Sequence, residues 1–119
     1  IDTMQSLDCP VITVGEGVVA SMAAVILACG DHRQVYRHTQ VLIHQLMGGT
    51  GMAQQTDIEI VAQHTAAMRT ELDELLAEHG NLSAQEFHEL TERDCWCNAK
   101  RALELGLVDE VIAPSKKAL

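Results

Sequence analysis

A β-branched run, a glycine turn and a long apolar run follow one another early in the chain and constrain its fold most. Residues 11–14 are β-branched throughout and predict a buried strand. Gly15 and Gly17 then predict a flexible turn. The apolar residues 20–29, followed by Gly30, predict a buried helix that ends at this glycine. The segment therefore predicts a strand that leads through a turn into a buried helix.

Two short extended runs follow, at residues 34–36 and 41–44. A strand, a helix and a strand in this order favour a βαβ unit, in which the strands run parallel. At 119 residues the chain has room for one domain with a modest core. We therefore predict one α/β domain built on a mainly parallel sheet.

A second constraint is the length of the helix predicted after the glycine-rich loop at residues 48–51. Thr56 and Glu59 form a capping-box pattern, and the helix should end near His79, since Gly80 follows. Its inward stripe has alternating spacings of three and four residues: Ile58, Val61, Thr65, Met68, Leu72, Leu75 and His79. At roughly 35 Å this helix is long for so small a domain, so we expect it to project and pack against a partner helix or another subunit.

The last third of the chain predicts two short helices and a strand. Ser83 and Glu86 form a capping box that begins the first helix. Asn98 is a favourable N-cap for the second, at residues 99–105. Residues 107–112 predict a final strand.

Charge and composition exclude several classes of function. The net charge is −9, the eight Lys and Arg residues are scattered and only 3% of residues are aromatic, which argues against nucleic-acid binding. No apolar run approaches the roughly 20 residues that span a bilayer, and no signal peptide is apparent. We therefore expect a cytoplasmic protein that does not bind membranes. Residues 1–7 already have a helical pattern, so an upstream segment is expected.

The four cysteines do not form a convincing metal site. Cys95 and Cys97 flank Trp96, but a structural metal ion would need two more ligands at suitable spacing. Cys9 and Cys29 lie elsewhere in the chain. We predict buried, reduced thiols, with no metal and no cofactor.

Ser21 is the first candidate for chemistry, because it stands where the glycine turn meets the apolar helix. A helix N-terminus offers free backbone N–H groups and a positive dipole end, which favour an alkoxide and a tetrahedral oxyanion. The alternative is a serine that only caps the helix. The apolar neighbours Val18, Val19 and Met22 are unusual for a solvent-facing cap.

His44 and Asp94 are the other two candidates. His44 ends a predicted strand, where side chains of α/β folds meet ligands, and can take up a proton near neutral pH. Asp94 could orient the imidazole and stabilise its protonated form. Each residue alone is compatible with a purely structural or surface role.

Together these residues belong to a series of motifs that resembles the Clp protease proteolytic subunits. The motifs agree in order and spacing and cover the chain to about residue 112: Gly17-x-x-Ala20-Ser21-Met22, Val41-Leu42-Ile43-His44-Gln45 with Gly48-Gly49, Thr56-Asp57-Ile58-Glu59-Ile60, Thr91-Glu92-Arg93-Asp94 and Gly106-Leu107-Val108-Asp109. The resemblance implies a ClpP/crotonase-like α/β fold, present in part, over residues 1–113, without its N-terminal strands and with a tail at 114–119. It also implies a serine endopeptidase with the triad Ser21, His44 and Asp94.

The resemblance implies further roles and an assembly. The Met22 N–H would be one half of the oxyanion hole, and Glu92 and Arg93 would couple contact between rings to alignment of the triad. The long helix would be a handle that reaches the opposing ring. Subunits of this family, alike or mixed, form two stacked heptameric rings, and a hexameric AAA+ Clp unfoldase feeds them unfolded polypeptide.

Three departures from the family pattern are present. Ala23 replaces the usual Gly, Leu46 replaces the usual Pro, and the link from Gly30 to His44 is about two residues short. The family glycine pair that supplies the second oxyanion donor would lie upstream of Ile1. A weakly active or inactive ring subunit, serving assembly and unfoldase docking, is therefore the alternative function.

Two other classes are disfavoured by the residues present. Acyl-CoA enzymes of the crotonase fold generally carry no such triad. Membrane-associated signal-peptide peptidases use a Ser/Lys dyad, and no lysine precedes Lys100 in this chain.

Overall fold

The computed structural model describes residues 1–115. The helices are α1 (Asp2–Gln5), α2 (Met22–Ala28), α3 (Gln55–His79), α4 (Ala84–Leu90) and α5 (Ala99–Glu104). The strands are β1 (Ile12–Gly15), β2 (Val18–Ala20), β3 (His32–Tyr36), β4 (Gln40–Ile43), β5 (Cys95–Asn98) and β6 (Glu110–Ile112). Most of the predicted tail, residues 116–119, lies outside the described part of the chain.

The strands form two three-stranded sheets. The first has the order β1-β3-β6, and both of its strand pairs are parallel. The second has the order β2-β4-β5, in which β2 pairs parallel with β4 and β5 runs antiparallel to β4. The predicted α/β class with parallel βαβ units is therefore confirmed, with one antiparallel strand added.

Strand β2 and the start of α2 correct the sequence-based prediction. The apolar run was expected to be helical from residue 20, but Val18–Ala20 pairs with β4 and the helix begins at Met22. Val18 and Val19 are β-branched and suit a strand once a partner strand lies beside them. Local periodicity could not show that partner, because β4 lies about twenty residues further along the chain.

The hydrophobic core forms around α2. Ala24, Val25, Leu27 and Ala28 are buried along this helix, which contacts β1, β2, β4 and α3. Further buried residues come from the strands and the C-terminal half: Val35, Val41, Ile43, Leu76, Phe87, Leu105, Leu107 and Val108. The short α2 is thus held on several sides, which gives the turn before it a fixed position.

Helix α3 reaches beyond the core. None of residues 55–68 is buried, whereas Asp73 and Leu76 in the last third are. The molecule is accordingly elongated, with extents of 65 × 31 × 27 Å. The predicted length and end at His79 are confirmed, and the N-terminal half of the helix projects as expected.

The start of α3 differs from the predicted capping box. The N-cap is Gln54, it makes no side-chain cap hydrogen bond, and Thr56 lies inside the first turn. The predicted inward stripe is also only partly right, because Ile58, Val61 and Met68 are exposed. More than a third of the surface of each of these residues is open to solvent.

The other two predicted caps are present. The Ser83 hydroxyl accepts a hydrogen bond from the Glu86 N–H at 3.2 Å, and the Glu86 carboxylate accepts one from the Ser83 N–H at 2.8 Å. Asn98 Oδ1 accepts a hydrogen bond from the Arg101 N–H at 2.9 Å. Gly106, with φ of +72°, follows the end of α5 in the left-handed region that glycine favours.

The predictions for the cysteines and for the final strand were partly wrong. Cys9 is exposed, contrary to the prediction of buried thiols, whereas Cys29 and Cys97 are buried and Cys95 is half-buried. Burial raises the pKa of the Cys97 thiol to about 12. Strand β6 is shorter than predicted, because the apolar residues Leu107 and Val108 pack in the core ahead of it.

Candidate active site

Ser21 lies at a sharp turn between β2 and α2. Its φ of 60° and ψ of −129° make it the one residue other than glycine with positive φ in the described chain. Its N–H donates to the Leu42 carbonyl at 2.9 Å, and its carbonyl accepts from the Ala24 N–H at 2.9 Å. The backbone is therefore held in a strained conformation by hydrogen bonds on both sides.

The Ser21 side chain is open to solvent and does not cap α2. It is exposed, and it makes no capping hydrogen bond although it occupies the N-cap position. The alternative of a serine that caps the helix through its hydroxyl is therefore not supported. Met22 is the first residue of α2, so its N–H has no acceptor one turn earlier in the helix.

His44 lies beside Ser21 because their strands are parallel neighbours. Ala20 of β2 is in register with Leu42 of β4, so the residues that follow both strands emerge at the same edge. Ser21 and His44 line one cavity of about 270 Å³. The half-buried His44 places Nδ1 2.5 Å from the Gln45 carbonyl oxygen. A carbonyl oxygen only accepts, so Nδ1 carries the proton and Nε2 is left as the basic nitrogen.

Asp94 lies on the other side of His44. Cys95 pairs with Ile43 across antiparallel strands, so the residues next to them, Asp94 and His44, are neighbours at the sheet edge. Asp94 and His44 line a second groove of about 550 Å³, together with Arg93 and others. Asp94 itself is exposed. The three predicted residues therefore converge on two adjoining depressions that share His44.

The hydrogen bonds of a catalytic relay are not formed in this conformation. Within residues 1–115, no hydrogen bond joins Ser21 to His44, and none joins His44 to the Asp94 carboxylate. The Gln45 carbonyl holds the Nδ1 position that a triad aspartate would bind.

Sequence reasoning missed a polar network behind the site. Arg69 of α3 donates to Gln45 Oε1 at 2.8 Å, to the His88 carbonyl at 3.0 Å and to Glu92 Oε2 at 3.1 Å. Gln45 also donates from Nε2 to the Glu92 carbonyl at 2.8 Å. The network ties the segment after His44 to the segment before Asp94. In the sequence, the one sign of this network was that Arg69 lies on the same helical face as the apolar residues Leu72 and Leu76.

Glu92 and Arg93 differ in their contacts. Glu92 forms its ion pair with Arg69 of the same chain at 3.1 Å. Arg93 is exposed, and Nη1 lies 3.5 Å from the Glu92 carbonyl oxygen. The predicted role of this pair in coupling between rings stays a prediction.

Comparison with known proteins identifies the family to which these motifs belong. The family model described as Clp protease matches residues 1–115. The chain belongs to the Clp protease family. The resemblance stated from the motifs is thereby confirmed, and the α/β fold with its long helix is consistent with this family.

Curated relatives in the Clp protease family are substantially longer than this chain. The ATP-dependent Clp protease proteolytic subunit of Streptococcus sanguinis (strain SK36) is 40% identical over 118 residues, which cover 97% of this chain and 60% of the relative. The subunit of Lactococcus lactis subsp. cremoris (strain SK11) is 39% identical over 115 residues, with coverage of 94% and 58%. That of Streptococcus pneumoniae (strain Hungary19A-6) is 40% identical over 116 residues, with coverage of 95% and 59%. The chain thus spans about 60% of the length of these members of the Clp protease family.

No helix within residues 1–115 combines the length and the apolar character needed to cross a membrane.

Proposed function

We propose that this protein is a serine endopeptidase subunit of an ATP-dependent Clp protease. The observation that carries the proposal is the strained Ser21 at a strand-to-helix turn, opening on the same cavity as His44. Strain of this kind concentrates at functional sites, and a serine held there presents its hydroxyl outward. Membership of the Clp protease family supports the same conclusion.

The proposed reaction is acyl transfer to Ser21. Ser21 Oγ attacks the peptide carbonyl, and His44 Nε2 accepts the hydroxyl proton and returns it to the leaving amine. The Met22 N–H stabilises the oxyanion. Asp94 replaces the Gln45 carbonyl at Nδ1 and stabilises the imidazolium. Because the carbonyl already selects the tautomer with a proton on Nδ1, this exchange needs no change of tautomer.

The assembly and the partners are part of the proposal. Subunits of one or mixed kinds would form two stacked heptameric rings in the cytoplasm, with α3 as the handle between rings and an AAA+ Clp unfoldase supplying unfolded polypeptide. The exposed apolar residues Ile58, Val61 and Met68 of α3 support such a contact, since more than a third of the surface of each is open to solvent within the described chain. The intact mass of the assembly, with every chain identified, tests this composition.

One observation favours a second candidate, an inactive ring subunit that serves assembly and docking. The relay hydrogen bonds among Ser21, His44 and Asp94 are absent from the described residues, and Gln45 occupies the orienting position. This arrangement would be expected of a subunit whose chemistry has been lost.

Labelling by a fluorophosphonate probe separates the two candidates. In the purified native assembly we expect covalent labelling of Ser21 that Ser21→Ala abolishes. Asp94→Asn should lower peptide hydrolysis by roughly 1,000-fold or more, because the imidazolium loses its counter-charge. An intact assembly in which Ser21 is not labelled would leave only the docking role.

A further inference from the structure

Asp73 is the one carboxylate among the described residues that line the Ser21 cavity. It lies on α3, between Leu72 and Leu76, and only 5% of its surface is exposed. The rest of the nearby wall is largely apolar, with Met22, Val25 and Ile43 as contributors. A carboxylate in such surroundings is costly unless donors satisfy its oxygens.

One oxygen of Asp73 is satisfied and the other is available. Oδ2 accepts a hydrogen bond from His88 Nδ1 at 2.7 Å. Asp73 lines both the Ser21 cavity and an adjoining open groove, whereas His88 lines only the groove. Oδ1 has no hydrogen-bond partner within residues 1–115. Among those residues, Arg69 Nε is the one side-chain polar atom that is both fully buried and without a hydrogen bond. Since Asp73 Oδ1 is also without a partner, it must retain some accessible surface.

The nearby cation does not neutralise Asp73. The Arg69 guanidinium is engaged by Glu92, by the Gln45 side chain and by the His88 carbonyl. No ion pair within 4.0 Å joins Arg69 to Asp73 in the described chain. Asp73 Oδ1 therefore remains an acceptor on a residue that lines the same cavity as Ser21.

We propose that Asp73 makes this cavity selective for lysine as the substrate side chain next to the scissile bond. A lysine has an apolar stem that suits the apolar wall and an ammonium group that can donate to Asp73 Oδ1. This inference rests on the proposed peptidase function and adds a preference to it. Asp73 is a specificity-determining residue, and the hydrogen bond from His88 engages its second oxygen.

Paired peptide substrates test the preference in the purified native assembly. The two fluorogenic peptides are identical except for lysine or norleucine at the cleaved position, so they differ chiefly in the ammonium group. The wild-type enzyme should cleave the lysine peptide with the higher kcat/KM. Asp73→Asn should reduce the lysine-to-norleucine ratio roughly tenfold or more, as loss of a charge-assisted hydrogen bond does.

Two control variants separate recognition from structure. Glu71→Gln removes an exposed carboxylate from the same helix and should leave the ratio unchanged. His88→Gln removes the partner of Oδ2 but keeps Oδ1, so the lysine preference should persist. If Asp73 served only to anchor α4 through His88, His88→Gln and Asp73→Asn would change the ratio alike, which would overturn the inference.

The remaining outcomes distinguish this inference from the proposed function. Suppose that the wild-type assembly is labelled by the fluorophosphonate but cleaves the norleucine peptide faster than the lysine peptide. This result overturns the lysine preference and leaves the peptidase function standing, and it does not depend on whether Asp73→Asn folds. An unchanged ratio in a labelled and folded Asp73→Asn assembly does the same. Absence of both labelling and turnover in the wild-type assembly overturns the peptidase function and the preference together.

Discussion

Ser21 adopts a backbone conformation that an L-amino acid side chain rarely adopts. Its φ of 60° is maintained because the residue must connect a paired strand to a buried helix without a spacer. Strain of this kind costs about 1–3 kcal/mol, which the surrounding hydrogen bonds and packing must offset. The residue proposed as nucleophile is therefore also a point of local instability.

Replacing Ser21 by glycine should relieve this strain. Ser21→Gly and Ser21→Ala both remove the hydroxyl, but glycine adopts positive φ without a steric penalty and alanine does not. We expect the free energy of unfolding of Ser21→Gly to exceed that of Ser21→Ala by about 1 kcal/mol in urea denaturation. Equal stability of the two variants, or a less stable glycine variant, would show that the turn is not strained.

At the scale of single elements, the helix starts show when a local pattern is sufficient. Both Ser83 and Thr56 stand three residues ahead of a glutamate, yet only Ser83 forms the reciprocal capping bonds. α4 begins after a break at Gly80 that leaves Ser83 in an extended conformation, whereas α3 starts earlier and takes Thr56 into its first turn. The pattern is the same, and the position of the first helical residue decides its effect.

These two positions provide a matched pair of variants. Ser83→Ala should lower the free energy of unfolding by about 1 kcal/mol, because it leaves the Glu86 N–H without its acceptor. Thr56→Ala should have no such cost and gain slightly from the higher helix propensity of alanine. Thermal or urea unfolding of both variants measures the difference. A loss at Thr56 as large as that at Ser83 would contradict the observed helix start.

At the scale of the whole molecule, Arg33 connects several elements through one side chain. Its Nη1 donates to the carbonyl oxygens of Ala28, His79 and Gly106, at 3.1, 2.7 and 2.7 Å. Its Nη2 pairs with Asp109 Oδ1 at 2.6 Å, and hydrogen bonding to Arg33 holds the pKa of Asp109 below its usual value. The ends of α2 and α3 and the segment before β6 are thus joined by one largely buried cation.

Removal of this cation should destabilise the fold as a whole. Arg33→Gln should cost roughly 3 kcal/mol, because it leaves the Asp109 carboxylate without its charged partner and the three carbonyl oxygens without their side-chain donor. The control is Arg101→Gln, which breaks an exposed pair with Glu104 and should cost under about 1 kcal/mol. Urea denaturation compares the two. Similar costs for both variants would mean that Arg33 does not connect the elements energetically.

The features that could be predicted from the sequence alone were those set by neighbouring residues and those that belong to a recognisable motif. The caps at Ser83 and Asn98 and the end of α3 at His79 depend on residues within one helical turn, so their patterns were sufficient. Ser21 and His44 could be proposed as catalytic candidates because they stand at junctions of strand, turn and helix. Asp94 could be proposed from the order of the motifs.

Tertiary structure decided the features that depend on distant partners. Val18–Ala20 became a strand because β4 pairs with it, and Ile58, Val61 and Met68 of α3 are exposed although their spacing predicted an inward stripe. Asp73 and Arg69 form their hydrogen bonds with His88, Gln45 and Glu92, which lie 15 to 24 positions away in the chain. Such contacts form when folding closes long loops, and local periodicity contains no record of which side chains will then meet.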